Sequence, residues 1–136
     1  VYRGNPQNIL YKSGHKPLGG YLTRAIRFLD HYLPLTSIHH NKNNLSKTPK
    51  NCPATIFLRP YSQKLKNFEF LKINRIKSLM KRAAKNNFDF HLWFHPHNFG
   101  TNLKENLKNL EEIFDYYIYL NKKYGMQSKR MKDLIK

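Results

Sequence analysis

The stretch FDFHLWFHPHNFG, residues 88–100, combines an apolar, strand-like segment with three of the chain's seven histidines and its only tryptophan. Its aromatic residues and alternating polarity favour a β-strand, and the proline after the alternation prevents its continuation. Successive side chains of a strand point to opposite faces. One face is therefore apolar and expected to pack against helices, whereas the other carries imidazole and indole rings. The apolar face has Phe90, Leu92 and Phe94, and the other has His91, Trp93 and His95.

A second strand and a helix precede this segment. ATIFLRPYS, residues 54–62, predicts a short strand in which Ile56, Phe57 and Leu58 are all buried. INRIKSLMKRAAKNN, residues 73–87, has an apolar stripe opposite its basic residues and predicts an amphipathic helix that ends at the Asn pair. The order is therefore strand, helix, strand.

Further helices and a connector complete the chain. Apolar residues recur at three-four spacing in residues 21–33 and 102–124, which predicts two amphipathic helices, the second of them stopped by Gly125. A short tail helix is predicted with Ser128 as its N-cap. Residues 36–53 are polar and rich in Asn, and we interpret them as an exposed connector. The apolar set of the 102–124 helix is Leu103, Leu107, Leu110, Ile113, Phe114, Tyr117 and Leu120.

The fold class follows from the order of these elements. Strand, helix, strand, helix with short connections is typical of α/β proteins with a parallel sheet. Functional groups in such a sheet lie where the strands end, at the carboxyl edge. His95 falls at this edge and is expected to transfer a proton or contact a ligand, with a hydrogen-bonded core histidine as the alternative. A metal site at His95 and His97 is a further alternative, although two ligands are a weak signal.

Length and charge limit the classes of protein to consider. The chain has 136 residues, about one domain, and its 25 Lys and Arg against 8 Asp and Glu give a formal net charge of +17. Such a charge is typical of proteins that bind nucleic acid or another polyanion. The basic residues are scattered, and the chain is equally rich in Asn, Ile, Phe and Tyr, so we prefer a biased genome composition as the explanation. The single cysteine, Cys52, excludes an internal disulfide.

The ends and the hydropathy of the chain bear on its location. No apolar run approaches the roughly 18 residues of a membrane span, so none is expected. The chain begins at Val1 and not at Met, which indicates a piece whose N-terminus lies elsewhere. We assign it to the cytoplasm as an expectation.

The residues HLWFHPHNFG, followed by NLEEIFDYYIYLNKKYGMQSKRM, resemble the C-terminal part of polysaccharide deacetylases, the NodB-homology group also called carbohydrate esterase family 4. TIFLRPYS with its following helix, RAIRFLDHYLPLT, and YRGNP are similar to that family's second half, in the same order. The resemblance covers essentially the whole chain, residues 1–136, and HLWFHPHNFG is its most specific part.

This resemblance implies a fold and a reaction. The fold is the C-terminal half of a distorted, incomplete (β/α) barrel with parallel strands. The reaction is metal-dependent hydrolysis of N- or O-linked acetyl groups from a carbohydrate or polysaccharide, such as a bacterial surface polysaccharide. A glycan or acetylated sugar is then the expected substrate.

The resemblance also implies a metal whose ligands lie outside this chain. The family holds a divalent metal, usually zinc, with one Asp and two His from an Asp-Asp motif and a His-x-x-x-His motif in the first half of the domain. Neither motif is present, since the only histidines four residues apart, His91 and His95, lie on a strand. We therefore expect no metal ligand in this chain, no activity from it alone, and apolar helix faces left exposed by the missing half.

Two catalytic positions of the family map onto the chain. The histidine that protonates the leaving amine corresponds to His95, and the neighbouring apolar position corresponds to Trp93, where the family more often has Leu. The arginine that orients the catalytic Asp corresponds to Arg3, although Asn5 stands where the family's usual form has Pro. A solvated loop arginine is the alternative for Arg3.

Three more residues are candidates for substrate binding. Arg59 ends the first strand, and we leave open whether it contacts substrate or anchors the structure. His97 and Asn98 follow the second strand and are expected to border the acetyl pocket. The family motif that supplies an Asp and a Trp is not recognisable, and Asp30 is interpreted as an ordinary helix charge.

Two other classes of function remain open. A basic module that binds nucleic acid or another polyanion would explain the charge and the aromatic content, but no recognition motif is present and no specific nucleic acid is expected. A non-catalytic, glycan-binding relic of the deacetylase fold is the other alternative.

Overall fold

The structure is a computed structural model, which describes residues 54–130 and 133, together with Tyr21, Ala25, Ile26, Phe28, Leu29, Tyr32 and Leu33. Tyr21, Ala25, Ile26, Phe28 and Leu29 are helical, which agrees with the helix predicted there. The connector at residues 36–53 and the candidate Arg3 lie outside the described residues, as do Asp30 and Cys52.

The described chain forms an α/β unit. Strand β1 (Ile56–Phe57) leads through a 3₁₀ helix (Gln63–Phe68) into helix α1 (Glu69–Asn86). Strand β2 (Leu92–Trp93) leads through a second 3₁₀ helix (Pro96–Asn102) into helix α2 (Leu103–Tyr124). The predicted order of strand, helix, strand and helix is confirmed.

The two strands pair in parallel, as predicted. Ile56 lies opposite Leu92, and Phe57 lies opposite Trp93. The backbone N–H of Ile56 donates to the carbonyl of His91 at 3.4 Å, and that of Leu58 donates to the carbonyl of Trp93 at 2.7 Å. This series then stops, because the next donor would be the nitrogen of residue 60, which is a proline and carries no hydrogen.

Strand β2 is shorter than predicted, mainly at its amino end, where residues 88–91 are not part of the strand. The sequence pattern of residues 88–94 predicts a strand of seven residues, but only Leu92 and Trp93 have strand pairing. The backbone stays extended beyond them, with φ −101° and ψ 115° at His95. Its alternation of faces is therefore kept where the pairing has ended.

Both helices cover one face of this sheet. Leu58 from β1, Ile76 from α1 and Ile113 from α2 are almost completely buried in a common core. Phe90, Leu92 and Phe94 pack against that core, which confirms the predicted apolar face of β2. The full buried cluster comprises Ile56, Leu58, Ile73, Ile76, Leu79, Met80, Phe99, Ile113 and Leu120.

Both helix ends follow the predicted stop signals. Asn87, directly after α1, has φ 56°, and Gly125, directly after α2, has φ 71°. These left-handed conformations are common just after a helix, where Gly and Asn adopt them at little cost. The N–H of Gly125 donates to the carbonyl of Asn121 at 2.9 Å.

Three predicted features are wrong. Helix α1 begins at Glu69 and not at Ile73. Charged residues occupy buried positions in its first turn, so the apolar pattern that predicts the helix starts only at Ile73. Ser128 is not an N-cap, because residues 129 and 130 are not helical, and its N–H donates to the Tyr117 hydroxyl at 3.0 Å. Asp133 is in a 3₁₀ conformation, and the other residues of the predicted tail helix lie outside the described residues. Phe57 is only half-buried, because it lies on the face of β1 opposite Ile56 and Leu58.

Helix α2 has an exposed apolar stripe beside its buried one. Ile113 and Leu120 are buried, whereas Leu103, Leu107 and Phe114 are each about half exposed. The sequence predicts these residues as a single apolar set, but the core covers only one side of it. The other described residues leave this side of the helix uncovered.

Candidate functional site

A cluster of four rings lies on the face of the sheet opposite the core. Ring centroids of Phe57 and Trp93 are 4.9 Å apart, and those of Trp93 and His95 are 4.7 Å apart. Phe57 also lies 5.9 Å from His95 in an edge arrangement. His97 extends the cluster, at 5.0 Å from His95. These four residues are called the ring cluster below.

The register of the sheet builds this cluster. Phe57 and Trp93 are direct partners across the parallel pair, so their side chains leave the same face side by side. His95 is two residues beyond Trp93 along an extended backbone and therefore returns to that face. Trp93 is 36% exposed, which leaves part of its indole surface accessible.

A tight turn fixes His95 at the carboxyl end of β2. His95 precedes the 3₁₀ helix, Pro96 takes its first position, and the backbone N–H of Asn98 donates to the His95 carbonyl at 3.0 Å. His95 itself is half-buried, while His97 is exposed. The predicted placement of His95 at the end of the strand, on the face away from the core, is thus met.

Arg59 lies at the end of the other strand in a different environment. Its guanidinium carbon is 5.3 Å from the centroid of the Phe28 ring, a cation–π arrangement. Its backbone carbonyl accepts a hydrogen bond of 3.0 Å from the Lys72 ammonium. The contacts described for Arg59 are thus with Phe28 and Lys72, and the structure does not bring it into contact with the ring cluster.

A buried ion pair lies under this end of β1. The Lys72 ammonium is 2.5 Å from the Glu69 carboxylate, and the two residues are only 1% and 6% exposed. The amide of Asn109 on α2 donates to the same carboxylate oxygen at 3.2 Å. We refer to Glu69, Lys72 and Asn109 as the buried ion cluster.

Burial shifts the pKa values of Lys72 and of the neighbouring Tyr32. Desolvation lowers the pKa of Lys72, and its hydrogen bond with Glu69 acts in the opposite direction. Burial and the nearby negative charge of Glu69 raise the pKa of the Tyr32 hydroxyl. Sequence reasoning missed these residues, because a Glu–Lys pair at i and i+3 is ordinarily a solvent-exposed helical ion pair and carries no signal of burial.

Two asparagines join the loops that carry the candidate residues. The backbone N–H of Tyr61, after β1, donates to the Asn106 side-chain oxygen at 2.6 Å. The Asn106 amide nitrogen donates to the carbonyl of Phe99, after β2, at 3.2 Å. Asn102 adds a bond of 3.4 Å to the Tyr61 carbonyl. A polar residue at a buried position of a predicted amphipathic helix was the only sequence signal for Asn106.

The described residues do not fit a metal site by themselves. His95 and His97 are close, but the described part of the chain holds no group of three or more His, Cys, Asp or Glu side chains placed to bind a metal ion. Three protein ligands is the usual minimum for a catalytic zinc. The described helices also include none that is long and apolar enough to cross a membrane.

Comparison with known proteins adds no relative. No family model matches the chain. No curated protein and no solved structure matches it either. Its function is therefore argued from its own residues and their geometry.

Proposed function

We propose that this chain is part of a polysaccharide deacetylase-like hydrolase, which removes N- or O-linked acetyl groups from a carbohydrate or polysaccharide. The observation that carries the proposal is the position of His95. It lies at the carboxyl end of β2, on the face away from the core, half-buried between Trp93 and His97. This is where a parallel α/β unit places its reactive groups.

His95 acts as the proton donor to the leaving group. Amide hydrolysis adds water to the acetyl carbon and breaks the carbon–nitrogen bond, and the departing nitrogen needs a proton to leave as an amine. An imidazole, with an ordinary pKa of about 6.5, holds a proton and releases it near neutral pH. The proton moves from the His95 ring to the nitrogen, and acetate and the free amine are the products.

The remaining residues of the ring cluster shape the pocket. Trp93 and Phe57 form an apolar wall beside His95, suited to an acetyl methyl group or the face of a sugar ring. His97 and Asn98 lie within the turn that follows β2, and we propose that they border this space. We propose that Arg59, at the end of β1, binds the substrate. Arg3 is proposed to orient a catalytic Asp.

The larger assembly is also part of the proposal. The β1-α1-β2-α2 unit belongs to the C-terminal half of a distorted, incomplete (β/α) barrel, with the exposed stripe of α2 covered by the other half. A divalent metal, zinc in the usual case, takes its ligands from that other half. The described residues do not form a metal site by themselves.

Substitution of His95 by Asn tests the proposal. In the complete protein, with N-acetylated and O-acetylated glycans as probes, we expect acetate release to fall by roughly 10²- to 10⁴-fold, the usual contribution of a positioned acid. The matched control is His91→Asn, because His91 directly precedes β2 and lies at its amino end, whereas His95 follows its carboxyl end. Equal loss in both variants, or full activity of His95→Asn, would refute His95 as the acid.

Polyanion binding is the second candidate. The outer side of α1 carries the exposed basic residues Lys81, Arg82 and Lys85 within five positions. A site of this kind would bind generic single-stranded DNA or RNA with an affinity that falls steeply with salt. Salt-sensitive binding that is lost in the triple Ala variant, without acetate release, would favour this function over hydrolysis.

A glycan-binding relic of the same fold would behave differently again. It would bind an acetylated glycan and quench or shift the emission of Trp93, the only tryptophan, but would release no acetate. Binding that survives His95→Asn and disappears in Trp93→Ala, in a protein that releases no acetate, identifies this case.

A further inference from the structure

We infer that Asn106 is a positioning residue, which holds the loop that carries His95 against the loop that carries Arg59. The inference concerns the arrangement of the two loops, and only its effect on acetate release rests on the proposed function. Asn106 lies in the first turn of α2 and does not itself touch the ring cluster in any described contact.

The Asn106 side chain uses both ends of its amide on backbone groups. Its oxygen accepts from the N–H of Tyr61, two residues after Arg59, and its nitrogen donates to the carbonyl of Phe99, four residues after His95. The residue is only 2% exposed, so water cannot readily replace either bond. A buried backbone group that loses its hydrogen-bond partner destabilises a protein, which gives these bonds their restraining effect.

Phe99 transmits this restraint toward His95. The Phe99 ring is buried and stacks on Phe94 with centroids 5.1 Å apart. Phe94 is the residue directly before His95, and Phe99 lies four residues after His95 in the second 3₁₀ helix. The chain between them is thus held at one end by ring stacking and at the other by Asn106.

A carboxamide is the only side-chain group of this size that serves both loops. Asp has the acceptor for Tyr61 but, when ionised, no donor for Phe99, and Leu has neither. Asn102 supplies a second, weaker link, a 3.4 Å bond from its side chain to the Tyr61 carbonyl. The two asparagines are one helical turn apart and together tie the exits of both strands to the start of α2.

The test compares Asn106→Asp and Asn106→Ala with the control Asn109→Ala. Asn109 lies on the same helix, but its amide bonds the Glu69 carboxylate and not a loop backbone. Trp93 is the only tryptophan and lies 4.7 Å from His95, so its emission and its quenching by acrylamide report on the ring cluster directly. Unfolding by urea is followed by circular dichroism to separate loop displacement from loss of folding.

We expect both Asn106 variants to change Trp93 emission and quenching in the folded state, while Asn109→Ala leaves them as in the wild type. Acetate release should lose kcat by roughly 10- to 100-fold, the size expected when a catalytic group is misplaced by about 1 Å, with a smaller change in KM. The dependence of kcat on pH should also shift, which a purely structural residue would not cause.

Lower stability with unchanged Trp93 emission, quenching and pH profile would overturn the inference. If Asn106→Ala does not fold, Asn106→Asp decides, and if neither folds, Asn102→Ala must change Trp93 quenching for the inference to stand. A wild-type protein that releases no acetate would refute the proposed function alone, since the Trp93 measurements still decide the role of Asn106.

Discussion

The ends of the two strands carry opposite kinds of polar site. After β1 the chain buries charges, with Glu69 and Lys72 paired under the Arg59 carbonyl and almost removed from solvent. After β2 it displays rings, with His95 half-buried and His97 and Trp93 open to solvent. The buried charges restrain the chain through the bonds of Lys72 to Glu69 and to the Arg59 carbonyl, although the Glu69 Oε1 atom is buried without a hydrogen-bond partner. The rings after β2 are instead partly accessible to solvent. We therefore predict that substitutions at the first end mainly change stability, and that substitutions at the second end mainly change the ring cluster.

The largest expected effect on stability is at the buried ion cluster. Lys72→Met leaves the Glu69 carboxylate buried with Asn109 as its remaining described partner, and loss of one member of such a pair typically costs about 3–5 kcal/mol. The free energy of unfolding from urea titration measures it. Trp93 emission should be unchanged in the folded variant, because the ring cluster has no described contact with Lys72.

A double variant shows whether the pair or only the orphaned charge matters. Glu69→Leu together with Lys72→Met removes both charges, and apolar replacement of a buried pair is often neutral. We expect the double variant to recover most of the stability lost in Lys72→Met. If it remains as unstable as the single variant, the bond from Lys72 to the Arg59 carbonyl is the dominant interaction. A change in Trp93 emission in either variant would break the proposed separation of the two ends.

Phe57→Ala should have the converse effect at the other end. A fully buried Phe loses about 4 kcal/mol on truncation, and this half-buried ring should lose about half of that. Its larger effect is on the site, because Phe57 contacts both Trp93 and His95. We expect greater acrylamide quenching of Trp93 and weaker substrate binding, seen as a higher KM. Phe88→Ala is the matched control, since Phe88 is also half-buried but lies before β2.

The smallest expected effect is the alkaline dependence of stability on Tyr32. Burial and the Glu69 charge raise its pKa in the folded state above the value of about 10 in the unfolded state. The folded protein then binds the proton more tightly. This contribution is fully present below the unfolded pKa and is lost as pH rises through the folded one.

Comparison of wild type with Tyr32→Phe isolates that contribution. The variant should lack the loss of stability that Tyr32 causes above pH 10, so the difference between the two unfolding free energies should change in that window. The lowered pKa of Lys72 makes stability rise with pH in the range below the ordinary lysine pKa. Because Lys72 is present in both proteins, this contribution cancels in the difference. If the difference between the two unfolding free energies is independent of pH, the Tyr32 hydroxyl is not coupled to the buried ion cluster.

Much of the fold was predictable because it depends on local patterns. The faces of β2, the parallel order of the elements and the stops at Asn87 and Gly125 follow from alternation, helical periodicity and the left-handed conformation that Gly and Asn tolerate. The length of β2 was not predictable from its own residues. At the carboxyl end its pairing stops because Pro60 on the other strand lacks a donor, and only the register shows that these positions meet. At the amino end, residues 88–91 stay outside the strand despite their strand-like pattern.

The candidate site divides in the same way. The sequence by itself determined that His95 ends a strand on the face of Trp93, because side-chain alternation along an extended chain needs no knowledge of partners. Only the tertiary structure decided that Phe57 joins these rings, that Glu69 and Lys72 are buried together, and that Asn106 bonds both loops. Those contacts join residues on different elements or depend on which face of a helix the core covers. Such placement is settled by the packing of the whole chain and not by any one segment.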